Sequence, residues 1–238
     1  MQPILTLLPY LMLALSIDNP KRIGNIMNPA NIPHFPSALK VGVFSVMVIL
    51  TGCVSWLAPH VNTDVATLKP GEYELDDDHA RLLFKISHLG LSDFVGRFND
   101  FEASLSFDPK APEKSSLHAL VNMASLDVNN AELEEQLNGS GWLDTKSFPQ
   151  AEFNSVSVSV ISENTYEFVG NLNWRNVTKP VVFDLTFNGG AHNWLSGHYT
   201  IGFSATGSFK RSDFGLSSYQ SLVGDEIRLE VYAEFLQQ

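Results

Sequence analysis

Apolar and polar side chains alternate most regularly between residues 166 and 187. The first half of this stretch places five residues on one face: Tyr166, Phe168, Gly170, Leu172 and Trp174. The second half repeats the pattern with Val181, Phe183, Leu185 and Phe187. A period of two is typical of a strand with one buried face. Asn176 lies between the halves and tolerates a left-handed turn, and Pro180 fits only at a strand start or an edge. The stretch therefore predicts a β-hairpin.

The same period recurs along most of the chain after residue 70 and predicts further strands at these positions: 71–76, 80–88, 96–107, 116–126, 151–161, 198–209 and 227–235. One segment, 130–137, favours a short helix with Asn129 or Asn130 as its N-cap. Because the connections are short, the strands should be antiparallel.

One polar and one apolar face per strand fit either a barrel or a sandwich. Several predicted strands have about 11 residues, where about 5 to 6 is usual. In a barrel they would reach roughly 28 Å, enough for an extended apolar chain, although a filled barrel has the same periodicity. The predicted fold class is all-β: an elongated antiparallel barrel of about eight strands with one short helix.

The first 52 residues have the features of a secretory signal. Lys40 precedes an apolar run, 41–50, which ends in Leu50-Thr51-Gly52-Cys53 and is too short to span a bilayer. This ending resembles the bacterial lipobox, which implies that Cys53 becomes lipidated and anchors the protein to a membrane. Val54 rather than Asp follows the cysteine, which favours the outer membrane. A second apolar run near the N-terminus suggests that translation starts at Met27. Residues 53–71 then form a tether, and 72–238 form the domain.

The amino-acid composition excludes some classes of partner and site. A net charge of -11 argues against nucleic acid as a partner, since phosphates attract a basic face. The single cysteine, Cys53, excludes an internal disulfide and a Cys-based zinc site. Sixteen Phe and four Trp indicate either an aromatic-packed core or a wide apolar cavity.

Candidate chemistry is sparse. His79 and His88 are not at a metal-ligand spacing, and no metal site or catalytic motif is predicted. His88 lies on an apolar strand face and could bind a polar head group, or be a core histidine. Arg97, Arg175 and Arg211 lie near predicted turns and, with His79, could meet a phosphate or a quinone at a barrel mouth, although scattered surface charge gives the same pattern. We therefore predict no enzymatic activity.

An ordered set of short motifs extends over nearly the whole domain. Its members are Tyr73 with Asp76 and His79, 84–90 (FKISHLG), Gly96-Arg97-Phe98 with Phe101, 105–108 (LSFD), 125–127 (SLD), 142–144 (WLD) with Phe148-Pro149 and Phe153, 170–172 (GNL), 177–181 (VTKPV), 211–215 (RSDFG) and 223–225 (VGD). This set resembles the YceI-like family of lipid-binding barrels. One departure is Asn176, where the family usually has Gly at the hairpin turn.

The resemblance implies a lipocalin-like barrel that binds, carries or stores a long-chain isoprenoid lipid, a polyprenyl lipid or an isoprenoid quinone, in the bacterial periplasm. No cofactor is implied, and the chain would be a monomer or a homodimer. Strand phase, not the resemblance, proposes the cavity wall: Phe84, Ile86, His88, Phe101, Phe107, Trp174, Phe183, Phe203 and Phe209. Two alternatives stay open. One is a structural or stress-related envelope lipoprotein with a filled barrel. The other is a lipid hydrolase or isomerase, for which His88 is the one acid–base candidate.

Overall fold

The computed structural model describes residues 60–193 and 197–238, in which eleven strands and one α-helix occur. In chain order these are β1 (Gly71–Leu75), β2 (Arg81–His88), β3 (Ser92–Phe98), β4 (Phe101–Phe107), β5 (Ser116–Asn122), β6 (Leu126–Asp127), α1 (Ala131–Asn138), β7 (Gln150–Ser162), β8 (Thr165–Trp174), β9 (Val177–Asn193), β10 (His198–Lys210) and β11 (Val223–Gln237). Pro59–Gln238 forms one compact unit, and its described strands pair with one another, so we infer that this part folds on its own.

Eight of the strands form a closed antiparallel barrel, in the order β1-β4-β5-β7-β8-β9-β10-β11, and the β1–β11 pairing completes the ring. The barrel prediction is confirmed. Strands β2, β3 and β6 continue the sheet from β11. We call the end that contains the start of β1 and the end of β11 the terminal end. The opposite end, which contains the β8–β9 turn and residues 211–222, is the loop end.

The β8–β9 hairpin explains both turn residues of the sequence pattern. Arg175 and Asn176 have φ angles of 53° and 60°, and the strands pair directly from Trp174 to Val177. Two successive left-handed residues make the turn whose twist matches a hairpin. Pro180 lies inside β9, but its pairing partner is on β8 alone, because β10 first pairs with β9 at Phe183. Pro180 thus lies on a local edge, as predicted.

Two predicted strands are divided in the structure. The stretch 96–107 breaks at Asn99 and Asp100, whose backbone N–H groups donate to Ser125 O and Ser125 Oγ at 3.1 Å each. The stretch 116–126 breaks at a short 3-10 helix, Met123–Ser125. The two breaks face each other and divide the sheet at this point, since β4 pairs with β5, whereas β3 pairs with β6. The helix prediction is confirmed, and the Asn130 side chain accepts from Leu133 N at 3.1 Å as its cap.

Part of the predicted tether packs on the barrel. Asn62 forms a β-bridge with Gly190, and the side chains of Val65 and Leu68 are buried in the terminal end. The predicted signal region and Cys53 lie outside the described residues. Within the described part, no helix is long and apolar enough to cross a membrane.

Candidate functional site

The apolar interior of the barrel is divided into two separate buried clusters. The terminal-end cluster contains Tyr73, Phe107, Ile201 and Phe235 among others, and the loop-end cluster contains Met123, Ala151, Trp174 and Phe214. A single domain usually has one contiguous core. Next to the terminal-end cluster, towards the middle of the barrel, six inward-facing side chains are only partly buried, whereas Phe153 and Val181 are buried. The six are Phe101, Leu117, Ala119, Phe183, Ala205 and Val231. Burial of the inward-facing side chains is therefore less complete in the middle of the barrel than at the terminal end.

Two inward-facing phenylalanine rings lie against glycines of neighbouring strands. Phe84 faces Gly96 across the β2–β3 pair, and Phe183 faces Gly207 across the β9–β10 pair. A methyl group on either glycine would collide with the ring of its phenylalanine. Because each ring occupies the space that a side chain would otherwise take, it lies along the wall instead of reaching across the interior.

Small side chains occupy opposite walls of the same region. Ala119 on β5 and Ala205 on β10 are separated by four steps in either direction around the ring of eight strands. Both point inward, and both are partly buried. Ala119 also pairs directly with Ala103 on β4, so this wall presents two short side chains next to each other. Opposed alanines leave more room between the walls than opposed large residues would.

The predicted cavity-wall residues fall into four groups. Phe84, Phe101, Phe183 and Phe209 face inward and are partly buried, and Ile86 faces inward and is buried. Phe107 and Phe203 belong to the packed terminal-end cluster, where their rings are 6.5 Å apart. Trp174 belongs to the loop-end cluster, and His88 is exposed at the loop end. The structure therefore brings Phe101 and Phe183 to the middle region and assigns Phe107 and Phe203 to packing.

Trp174 carries a polar group without a protein partner. Its side chain is 5 % exposed and packs against Phe209 and Phe214, with ring centroids 6.5 and 5.7 Å away. The indole N–H is buried and makes no hydrogen bond in the structure. A buried donor left unpaired costs about 1–3 kcal/mol. This is one place in the interior where a ligand carbonyl or hydroxyl would satisfy a protein group.

Arg175 and Arg211 stabilise the loop end through backbone carbonyls. Arg175 donates to Leu143 O at 2.8 Å and to Phe214 O at 3.1 Å. Arg211, which is 4 % exposed, donates to Leu216 O, Gly224 O and Val223 O at 2.7 to 2.9 Å. Burial lowers the pKa of the Arg211 guanidinium, and the Asp225 carboxylate opposes this shift. Both arginines therefore close the barrel by linking its loops.

Arg97 lies apart from these two arginines, on β3. Its Nε and Nη2 atoms donate to Asp127 Oδ2 on β6 at 2.9 and 2.6 Å. A hydrogen bond from the Asn99 side chain is the largest cause that lowers the pKa of Asp127 to about 2, followed by those from Asn129 N and Arg97. The pair joins β3 to β6 at the surface. The structure does not bring Arg97, Arg175 and Arg211 together at one mouth.

His79 lies on the outer wall of the barrel. Its Nδ1 is 2.9 Å from Asp76 Oδ2, and Asp76 Oδ1 caps the short helix Asp77–His79 by accepting from Asp78 N. Asp76, His79 and the exposed Glu234 offer ligand atoms within 4.8 Å of one another, the only such group among the described residues. The Asp76 hydrogen bond and charge raise the pKa of His79. Capping and pairing account for this arrangement, and His79 does not reach the interior.

A polar groove of about 430 Å³ also lies on the outer surface. Its lining comes from β4, β5 and the start of β7: Asp100, Glu102, Leu120, Asn122, Pro149 and Gln150. The groove is open, and its lining is more polar than apolar, which does not suit an apolar ligand.

Sequence reasoning selected large aromatic residues and missed the small ones that shape the middle region. Ala205 and Gly207 lie in phase with Ile201 and Phe203 on β10. The signal was therefore visible as a change from large to small side chains along one strand face.

Comparisons with known proteins agree with this architecture. Residues 73–235 match the family model described as a YceI-like domain. A UPF0312 protein of Yersinia pestis (strain Pestoides F) is 36% identical over 169 residues, which cover 70% of this chain and 86% of that protein.

Solved structures share the fold. The YCEI protein of Campylobacter jejuni is 29% identical, with a TM-score of 0.58 over 65% of this chain and 91% of that one. BcnA of Burkholderia cenocepacia is 23% identical, with a TM-score of 0.61 over 67% and 98%. A polyisoprenoid binding domain from Saccharophagus degradans is 13% identical, with a TM-score of 0.54 over 71% and 100%. At these last two identities the likeness shows the fold alone.

Proposed function

Because this chain belongs to the YceI-like family, we propose that its barrel binds a long-chain isoprenoid lipid and carries or stores it without catalysis. The observation that carries the proposal is the division of the interior into two packed clusters with partly exposed apolar side chains between them. An extended hydrocarbon chain would cover those side chains and gain about 25 cal/mol per Å² of apolar surface removed from water.

The shape of the interior supports a long and thin ligand. Rings that lie along the wall at Gly96 and Gly207, and alanines on opposite walls, favour a slot over a round cavity. A structural neighbour whose name describes it as a polyisoprenoid binding domain has the same fold. The shape of the interior and the likeness to this neighbour together lead us to propose an isoprenoid as the ligand. A polyprenyl lipid and an isoprenoid quinone both fit, and only the quinone offers ring carbonyls to the Trp174 N–H.

The non-catalytic part of the proposal depends on the lining. In the part of the chain that the structure describes, the inward side chains between the two clusters are apolar and include no acid–base pair. His88, the one acid–base candidate of the sequence, lies exposed at the loop end. A carrier needs no more than an apolar lining and a way in.

We also propose that the protein works in the bacterial periplasm and that a lipid on Cys53 anchors it to a membrane, with the outer membrane favoured. The lipobox-like ending at Cys53 supports this location. Intact mass spectrometry of the protein from bacterial membranes tests it, because diacylation adds a mass that Cys53→Ser removes. An unmodified Cys53 in membrane-associated protein would contradict the anchor.

Mass spectrometry of a solvent extract tests the ligand proposal. Residues 59–238 are purified from bacteria without detergent, and the extract is compared with that of Ala205→Phe, which places a ring in the middle of the slot. We expect a stoichiometric prenyl lipid or quinone from the parent protein and much less from the variant. A parent protein that yields no lipid and takes up no added long-chain isoprenoid would identify a filled barrel instead.

A further inference from the structure

Apolar side chains are grouped and exposed at the loop end. We call the group of Leu89, Leu91, Trp142, Tyr219 and Leu222 the apolar rim. Leu91 is 84% exposed, Tyr219 59%, and Leu89 and Leu222 48% each. The group is continuous, because Leu89 N donates to Leu222 O at 2.7 Å and the Trp142 and Tyr219 rings stack with centroids 5.4 Å apart.

The backbone holds two of these residues in an unfavourable conformation. Leu89 and Tyr219 have φ angles of 56° and 57°, in the left-handed region that large side chains rarely adopt. Tyr219 O accepts from Leu222 N and Val223 N at 2.9 and 2.8 Å, which fixes this turn. Strain of this kind persists when the surrounding structure enforces it, and it concentrates at functional sites.

The charges around the apolar rim indicate which kind of surface can bind to it. The segments 89–92 and 214–222 contain no charged residue, although the chain as a whole has a net charge of -11. Exposed carboxylates of Asp93, Asp213 and Glu226 flank these segments, and Asp93 is paired with Arg228. Two copies that met rim to rim would bring the Asp213 and Glu226 carboxylates together and repel each other. A surface without net charge meets no such repulsion.

We propose that the apolar rim docks on a zwitterionic lipid surface. Leucines at the tip would enter the apolar boundary of the bilayer, and the stacked Trp142 and Tyr219 would lie at its polar edge, where such rings are favoured. The docking needs no anchor. It also lies at the end opposite Val65 and Leu68.

The biological role of this docking rests on the proposed function, lipid carriage by the barrel. The rim lies at the end of the barrel where loops cover the smaller buried cluster, so docking there would let an apolar chain pass between the bilayer and the interior without crossing water. The docking itself can be measured without any barrel ligand.

Sedimentation with lipid vesicles tests the docking. Residues 59–238 are mixed with phosphatidylcholine vesicles, and the double variant Leu91→Ser/Leu222→Ser is compared with the control Val156→Ser/Ile161→Ser. The control replaces two apolar residues that are 69% and 60% exposed on β7. We expect the rim variant to bind at least about tenfold less and the control to bind like the parent. Adding anionic phosphatidylglycerol should weaken binding by the parent.

Three results would overturn the proposal. The parent protein fails to bind phosphatidylcholine vesicles, or the control loses as much binding as the rim variant, or the rim variant keeps vesicle binding but changes a dimer to a monomer in sedimentation velocity. Lipid content by extraction is measured on the same samples. A rim variant that keeps its barrel lipid but no longer binds vesicles supports both the docking and the carrier proposals. Vesicle binding by a parent protein that never contains lipid would contradict the carrier proposal and leave the docking proposal intact.

Discussion

The two ends of this barrel are closed by different physical means. At the terminal end, Tyr73 and Ile201 are completely buried, and the Tyr73 hydroxyl donates to Lys69 O at 2.6 Å. Val65 and Leu68, from the segment before β1, complete that packing. At the loop end, a smaller cluster is held by guanidinium groups on backbone carbonyls, and leucines face water around it.

The difference shows that one alternating pattern can build both a closely packed end and a region of lower burial. Along β10 the inward side chains change from Ile201 and Phe203 to Ala205 and Gly207. The strand continues unchanged, but the interior it encloses goes from filled to less filled. Four substitution experiments should separate the two kinds of region.

Removing the same atoms from each region should have unequal effects. Ile201→Ala in the filled end should lower the free energy of unfolding by about 4 kcal/mol, because it leaves a cavity in a closely packed cluster. Ile227→Ala, at a partly buried inward position on β11, should lower it by only about 1 kcal/mol. Urea denaturation measures both. Equal losses would mean that the interior is filled throughout.

Arg211→Met should destabilise the loop end specifically. The variant keeps much of the volume but leaves the carbonyls of Leu216, Val223 and Gly224 without their donor, which should reduce the free energy of unfolding by about 3 kcal/mol. Amide hydrogen exchange should rise in residues 211–224 and stay unchanged around Ile201. Arg211→Lys should not restore protection, because a single ammonium group lacks the planar fork of donors. Full rescue by lysine would contradict this role.

Enlarging a side chain should also destabilise the terminal-end cluster more than the middle region. Ala103→Leu in the terminal-end cluster should reduce the free energy of unfolding by about 2 kcal/mol through overpacking. Ala205→Leu in the middle region should change it by less than about 1 kcal/mol in lipid-free protein, since the site has room. Thermal and urea unfolding of the two variants provide the comparison. A severe loss in Ala205→Leu would show that no slot exists there.

The smallest effect should come from His79, at the junction between β1 and β2. Asp76 raises the folded-state pKa of His79, so the pair contributes its full stability below the ordinary histidine pKa of about 6.5 and loses it as pH rises through the folded value. Because the histidine is exposed, the change should be less than about 0.5 kcal/mol. His79→Gln should remove this slope from unfolding curves measured at a series of pH values above 6.

The sequence predicted the barrel and its hairpin because alternation and turn residues are local signals. Asn176 adopts the left-handed turn between β8 and β9, Pro180 fits the local edge of β9, and Asn130 caps α1. The division of the sheet at Asn99 and Asp100 depends on contacts with Ser125, which is distant in sequence. Local patterns could not reveal it.

The interior was predicted less fully for the same reason. Strand phase identifies Phe101, Phe107, Phe183 and Phe203 as inward-facing alike, and only packing across the barrel separates the first and third from the other two. Arg175 and Arg211 were expected near turns, and both lie at turns in the structure. Which carbonyls they bind depends on loops that come together only in the folded barrel.

A crystal structure of residues 59–238 under xenon pressure tests the central claim most directly. Xenon enters apolar cavities that are empty and roomy, and it does not enter closely packed clusters. The account predicts xenon beside Phe101, Phe183 and Ala205 in lipid-free protein, or density for a retained apolar chain in the same place, and none among Tyr73, Ile201 and Phe235. An interior without xenon or a chain, in which side chains from opposite walls touch throughout, would contradict it.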